Sequence, residues 1–345
     1  MWDPRSYEDT DYGLEPGESF EPDAPWEAGD EEVSTAGPHI MTVLGPIDPQ
    51  DLGICLVHEH LLRQPTPATA WEPDHWLDNE GLISEEIEAF VAMGGRSIVD
   101  CSTSDHGRDA AGLVHLAMRA PVHIIGVTGR YNGMRSSRGE DTIDVERLTA
   151  EFVADLLDGM GETSARAGML KIATGRDQIT ELEVASIQAA AQAHSATGAP
   201  VTISTEADTT GLERLHLLTR AGMDLSHVIV GRLDEKLEWD HLVAAAETGA
   251  FIAFDGVSKP GHTSDTDRAS MLVRLAESGY ADRLLISHGH DRRSSYISYG
   301  GQPGITYILE RFSLELMDAG AEALLVRNML IENPARALTI HPPAC

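Results

Sequence analysis

A closed (β/α)₈ barrel is the fold this sequence predicts, and three observations predict it. Short, nearly continuous apolar runs recur eight times between residues 54 and 288. Amphipathic stretches fall between those runs. No Gly-rich phosphate turn follows the first run, as an open doubly wound sheet would more often require.

The runs are 54–58 (ICLVH), 97–102 (SIVDCS), 122–127 (VHIIGV), 169–173 (MLKIA), 200–205 (PVTIST), 227–231 (HVIVG), 250–255 (AFIAFD) and 284–288 (LLISH). Apolar runs of this length suit parallel strands buried on both faces. The helical pattern is clearest over 181–197, stopped by Gly198, and over 236–248, stopped by Gly249. Glycine is the expected residue just past a helix end.

The barrel domain is read as 39–345, preceded by an acidic extension, 1–38. That extension holds twelve carboxylates, one arginine and five prolines, for −11 of the chain's net −31, leaving −20 on the barrel. So little apolar surface cannot offset the entropy of ordering, so disorder is expected there, with a role as a partner-binding arm as an alternative. The overall charge argues against a nucleic-acid partner, which needs clustered Lys and Arg. No run reaches the length of a membrane helix, and the N-terminus lacks the pattern of a secretory signal. Three scattered cysteines, Cys55, Cys101 and Cys345, make neither a disulfide framework nor a zinc knuckle, so a cytoplasmic location is expected.

In such a barrel the chemistry sits where strands end. Those positions hold His58 and His60, Cys101 and Ser102, Thr128, Lys171, Ser204 and Glu206, Arg232, Asp255, and His288 to Asp291. In "VHEH" the two histidines are two residues apart, so on a strand both face one side and can share a metal ion, with Glu59 facing away. A lysine inside a barrel strand must be paired, neutralised or modified, because burying a lone ammonium costs several kcal/mol. Tyr131 and Asn132 on the third loop, with Ser204 and Asp255, are candidate substrate contacts. Asp255 is equally suited to orienting a neighbour. Arg108 and Asp109 are read as a loop ion pair or helix start, Cys101 as a small buried residue, and "RRSSYISYGGQPG" as a lid.

The blocks "TVLGPIDPQDLGICLVHEHLL", "GGRSIVDCSTSDHGRD", "AGMLKIATGRDQITELE", "GAFIAFDGVSK", "GYADRLLISHG" and "ENPARALT" resemble the phosphotriesterase family of the amidohydrolase superfamily, in order and spacing, over residues 40–340. The resemblance implies a two-metal hydrolase of phosphoesters, lactones or related carbonyl compounds. In it the HxH pair, a carboxylated lysine and a strand-eight aspartate hold one ion. The same lysine and histidines ending strands five and six hold the other. It also implies, weakly, a homodimer.

His58, His60 and Lys171 match that pattern, but Ser204, Arg232 and Gly289 stand at the other three ligand positions. Serine is a poor zinc ligand, glycine offers none, and arginine stays protonated. A dinuclear site is therefore not expected. One zinc or similar divalent ion on His58, His60 and His290 or Asp291 is one reading, and no metal is the other. Without metals Lys171 would stay a free amine of lowered pKa beside Arg232, suited to general-base or amine chemistry with Arg232, Glu206 and Asp291 as further candidate catalytic groups. Arg232 is equally suited to pairing with Glu206 or Asp291 as a metal-free ionic core, or to gripping a substrate carboxylate or phosphate. Three functions follow as alternatives. They are a family-type hydrolase of a small-molecule lactone, ester, amide or phosphoester with an atypical site, a metal-independent enzyme of specialised metabolism, and a non-catalytic binding protein.

Overall fold

The computed structural model describes residues 33–343 except 67–69, 71, 132–143, 176–178, 206–210, 260 and 262. The acidic segment 1–32, Asn132 and Glu206 thus lie outside the described residues. Eight parallel strands follow one another around the barrel: β1 (Ile54–Glu59), β2 (Gly95–Asp100), β3 (His123–Arg130), β4 (Met169–Thr174), β5 (Val201–Thr205), β6 (Val228–Gly231), β7 (Phe251–Phe254) and β8 (Leu284–Ile286). A short antiparallel hairpin, Ile40–Thr42 with Gly45–Ile47, precedes them. Among the described residues no helix is long and apolar enough to cross a membrane.

Alternation along the strands makes two cores. Cys55, Val57, Val99, Cys101, Ile125, Val127, Met169, Ile229, Phe251, Ala253 and Leu285 fill the barrel interior. Their strand neighbours, such as Leu56, Ile98, Leu170, Ile172, Val230 and Ile286, pack outward against the helices. Polar groups that continue the inward series at the strand ends, Lys171 after Met169 and Asp255 after Ala253, are thereby aimed into the top of the barrel. On β1 the pairing with β2 is irregular between Leu56 and Glu59. Such a break re-aims side chains, which lets His58 join the interior directly after Val57.

The helices begin and end on sequence signals. Asn79, Asp109 and Asp144 cap α1 (Glu80–Ala92), α2 (Ala110–Arg119) and α3 (Val145–Leu157) by accepting backbone N–H groups. Thr180 and Glu183 form a capping box on α4 (Glu181–Thr197), and Gly198 closes it at φ 76°. Asp109 is thus a helix start, and Arg108 pairs with Asp155 at 3.0 Å. The second expected helix is shorter than its pattern, α5 (Trp239–Glu247), because Leu233–Glu235 take a tighter turn first.

β8 stops two residues early because the chain beyond it bonds to β1 irregularly. The Gly289 N–H donates to the His58 carbonyl at 2.8 Å, and the His60 N–H donates to the His290 carbonyl at 3.0 Å. Ser287 Oγ accepts the His58 N–H at 3.0 Å. These bonds close the barrel.

Candidate active site

A polar cavity of about 30 Å³ opens at the carboxyl ends of the strands, lined by His58, His60, Tyr131, Lys171, Ser204 and Arg232, with Lys259, Gly289 and Asp291. That is room for a water or two, so it can enclose a reacting group. Of the side chains expected at the site, the structure brings His58, His60, Lys171, Ser204, Arg232, Asp291 and Tyr131 to this cavity, and Asp255 directly behind it.

Asp255 lies directly behind the cavity and touches two of its residues. Its Oδ2 lies 2.5 Å from Nδ1 of His58, and its Oδ1 accepts the Arg232 N–H at 2.7 Å. Burial opposes the charge of this carboxyl, but the His58 contact followed by Arg232 and Lys171 outweighs it and keeps Asp255 ionised, well below the usual carboxylate range. An ionised carboxylate only accepts, so Nδ1 of His58 carries the proton and Nε2 presents a lone pair. Lys171 Nζ faces that nitrogen at 3.5 Å. Burial, then the Lys171 charge, lowers the pKa of His58, which keeps the ring neutral.

His60 is held from the other side. Nδ1 lies 2.9 Å from Ser102 Oγ, and burial, then Arg63, pushes its pKa well down. Asp100 fixes this corner: its carboxylate accepts the Leu61 N–H at 2.6 Å and the Ser102 N–H at 2.9 Å. The His58 and His60 rings meet edge to face, with centroids 5.6 Å apart. Tyr131 lies flat on His106, centroids 3.8 Å apart.

Three cations share the cavity. Lys171 is buried on β4, and its pKa is lowered mainly by burial, with Arg232 and Lys259 adding to the effect. Arg232 sits in the left-handed region at φ 66°, a strained conformation for a non-glycine residue with a large side chain. Its guanidinium bonds Glu235, while Nε is buried with no hydrogen-bond partner among the described residues. Lys259, in "DGVSKPG", went unnoticed in the sequence because nothing periodic marks it. Its only signal is its place just beyond the seventh strand. A Cβ added to Gly289 would lie 3.0 Å from Lys259 Nζ, so the ammonium stands beside the space a side chain at 289 would enter.

Two expectations are corrected by this geometry. His290 does not join His58 and His60. Its Nε2 lies 3.1 Å from Ser258 Oγ, and its ring packs on His288 and Tyr296. The loop after β8 is not a free lid, because Tyr296 is fully buried and donates its hydroxyl proton to the His60 carbonyl at 2.7 Å. Glu59 does face away from the cavity, yet it is fully buried. It accepts from the Ser287 hydroxyl at 2.8 Å, from the His288 N–H and Nδ1–H at 2.9 Å each, and from the His290 N–H at 2.9 Å. Cys101 is an inert core thiol, pushed up to about 12 by burial.

Metal ligation can be judged from these donors. Glu59, His288 and His290 bring ligand atoms within 4.8 Å of one another. The hydrogen bonds just given already engage Glu59, and His288 Nε2 also accepts the Ile308 N–H at 3.3 Å. That cluster is a lock between β1 and β8. In the cavity His58 and His60 offer two nitrogens and Asp291 a carboxylate, but Ser204 and Gly289 add no anionic donor. Lys171, Arg232 and Lys259 supply positive charge instead. The residues present do not fit a pair of divalent ions.

The model of the phosphotriesterase family matches residues 38–338. A phosphotriesterase homology protein of Escherichia coli strain K12 is 32% identical, over 82% of this chain and 97% of its own. An N-acetyltaurine hydrolase of Xenopus tropicalis is 30% identical, over 89% of this chain and 99% of its own. Among solved structures, a lactonase from Listeria monocytogenes superposes with a TM-score of 0.84 at 28% identity, covering 88% of this chain and 99% of that one.

Proposed function

The chain belongs to the phosphotriesterase family, whose hydrolases typically use divalent metals, and from that premise we propose that it hydrolyses a small-molecule ester, lactone, amide or phosphoester with protein side chains in place of the metal pair. The observation that carries this reading is the Asp255–His58–Lys171 line, at 2.5 Å and 3.5 Å. His58 Nε2 takes a proton from water as the water oxygen bonds to the carbonyl carbon or phosphorus. The Lys171 ammonium stabilises the negative charge that develops on the attacked group. The bond to the leaving group then breaks, and the leaving group receives the proton back from the imidazolium. Asp255 holds the ring in the one tautomer that can do this.

Relatives named lactonase and N-acetyltaurine hydrolase support carbonyl substrates. The test is a panel of lactones, esters, N-acyl amines and phosphoesters assayed with a chelator present. Turnover that survives chelation and vanishes in Lys171→Ala and His58→Ala is expected. No turnover of any class by folded protein would overturn the reading. A second reading, one divalent ion on His58 and His60, is favoured by the way these two rings share the cavity. It predicts turnover that chelation abolishes and zinc restores.

A further inference from the structure

From the convergence of Lys171, Lys259 and Arg232 we infer that this pocket carries an oxyanion-recognition subsite, formed by Arg232 and Lys259, for a carboxylate, sulfonate or phosphate group borne by the substrate. The placement of the scissile group at His58 and Lys171 rests on the function proposed above, while the anion subsite stands on its own geometry.

Asp255, Asp291 and Glu235 offset the three cations in number, but among the described residues neither ammonium is directly paired. Among the described residues no carboxylate lies within 4.0 Å of Nζ of Lys171 or Lys259. Asp255 spends both oxygens on His58 and on the Arg232 backbone. Asp291 also lines the cavity and its charge acts on Lys259, but it makes no contact with Nζ within 4.0 Å and its carboxylate lies 3.6 Å from Nδ1 of His75. Glu235 takes one arm of the Arg232 guanidinium and leaves Nε buried and unpartnered. Leaving a buried N–H without an acceptor is unfavourable, so this Nε marks a place where an acceptor belongs.

These cations gather in a chain of net charge −31. Hydrogen-bond donors of cationic groups gathered in one pocket of a strongly negative protein favour an anion that fits them closely, because the outer field disfavours loosely held anions. A planar guanidinium edge beside an ammonium matches an oxyanion with two or three oxygens. The subsite occupies positions where Ser204, Arg232 and Gly289 depart from the metal-ligand pattern, so the same substitutions that remove ligands create the anion receptor.

The test is calorimetric titration of the full chain with inorganic phosphate, methanesulfonate and acetate at low ionic strength, which needs no turnover. At least one of the three is expected to bind with one-to-one stoichiometry and to protect against thermal unfolding. Lys259→Met and Arg232→Met should each weaken binding by about tenfold or more, while Lys259→Arg should retain it. Far-UV circular dichroism of each variant shows whether the fold is kept. No binding by the unaltered protein, or equal binding by folded Lys259→Met and Arg232→Met, would overturn the inference. Anion binding without hydrolysis of any panel substrate would leave the subsite standing and remove the hydrolase reading alone.

Discussion

Asp255 and His58 are joined by a 2.5 Å contact between the carboxylate just past β7 and the Nδ1 of a β1 imidazole. This single bond fixes the tautomer of His58 and points Nε2 at Lys171. Asp255→Asn should therefore leave the fold intact, since an amide oxygen can still accept the Arg232 N–H. Turnover should fall by roughly two to four orders of magnitude with KM nearly unchanged, as for an orienting carboxylate. Steady-state kinetics check this, and a loss confined to KM would refute the positioning role.

The pH profile follows from the direction of two shifts. His58 must be neutral to accept a proton, and burial, then the Lys171 charge, lowers its pKa from 6.5. Activity should thus stay flat through neutral pH and fall only as pH drops through that lowered value. Lys171 must be charged to stabilise an oxyanion, and burial first of all lowers its pKa from 10.5. The alkaline limb should therefore begin below 10.5. Asp255→Asn removes the group that raises the pKa of His58, so its residual activity should show an acid limb at still lower pH. An acid limb above 6.5 would speak against His58 as the base.

Much of this was legible in the sequence, for a physical reason. Parallel strands buried on both faces leave long apolar runs, and the helix over 181–197 was closed by a glycine, Gly198. His58, His60, Lys171 and Arg232 were visible because polar groups at apolar strand ends stand out. Lys259 was not, since a lysine in a polar loop looks solvated until the fold turns it inward. His290 misled because spacing suggests reach, whereas the Glu59 carboxylate holds its backbone and turns the ring behind the cavity. Asp255 sat between two roles that only a distance could separate.

Glu59 shows how a residue facing away from the chemistry still governs it. It gathers four hydrogen bonds from Ser287, His288 and His290, and its carboxyl is held down to about 2 against burial by His288. Glu59→Ala would leave buried donors without an acceptor. A loss on the order of 3–5 kcal/mol is expected from urea unfolding, together with loss of turnover as Gly289 and Asp291 shift. A variant of unchanged stability would show that the lock is dispensable.

Gly129 tests the placement of Lys171 without touching its side chain. It faces Lys171 across β3 and β4 at φ 131°, and a Cβ there would lie 2.0 Å from the Lys171 carbonyl oxygen. Gly129→Ala should lose stability on the order of 1–3 kcal/mol from backbone strain alone. Any folded fraction should have little activity, because the β4 backbone must move. Wild-type turnover in this variant would mean that Lys171 tolerates displacement and does not act through its position.

The proposal that Ser204, Arg232 and Gly289, with Lys259 alongside, stand in place of metal ligands is tested most directly by metal content. The full chain is purified with added zinc and bicarbonate, dialysed, and analysed by inductively coupled plasma mass spectrometry beside its turnover number. A cationic, side-chain-driven site predicts clearly less than one equivalent of metal per chain and activity independent of the amount bound. Two equivalents, or activity rising in proportion to bound zinc, would contradict it.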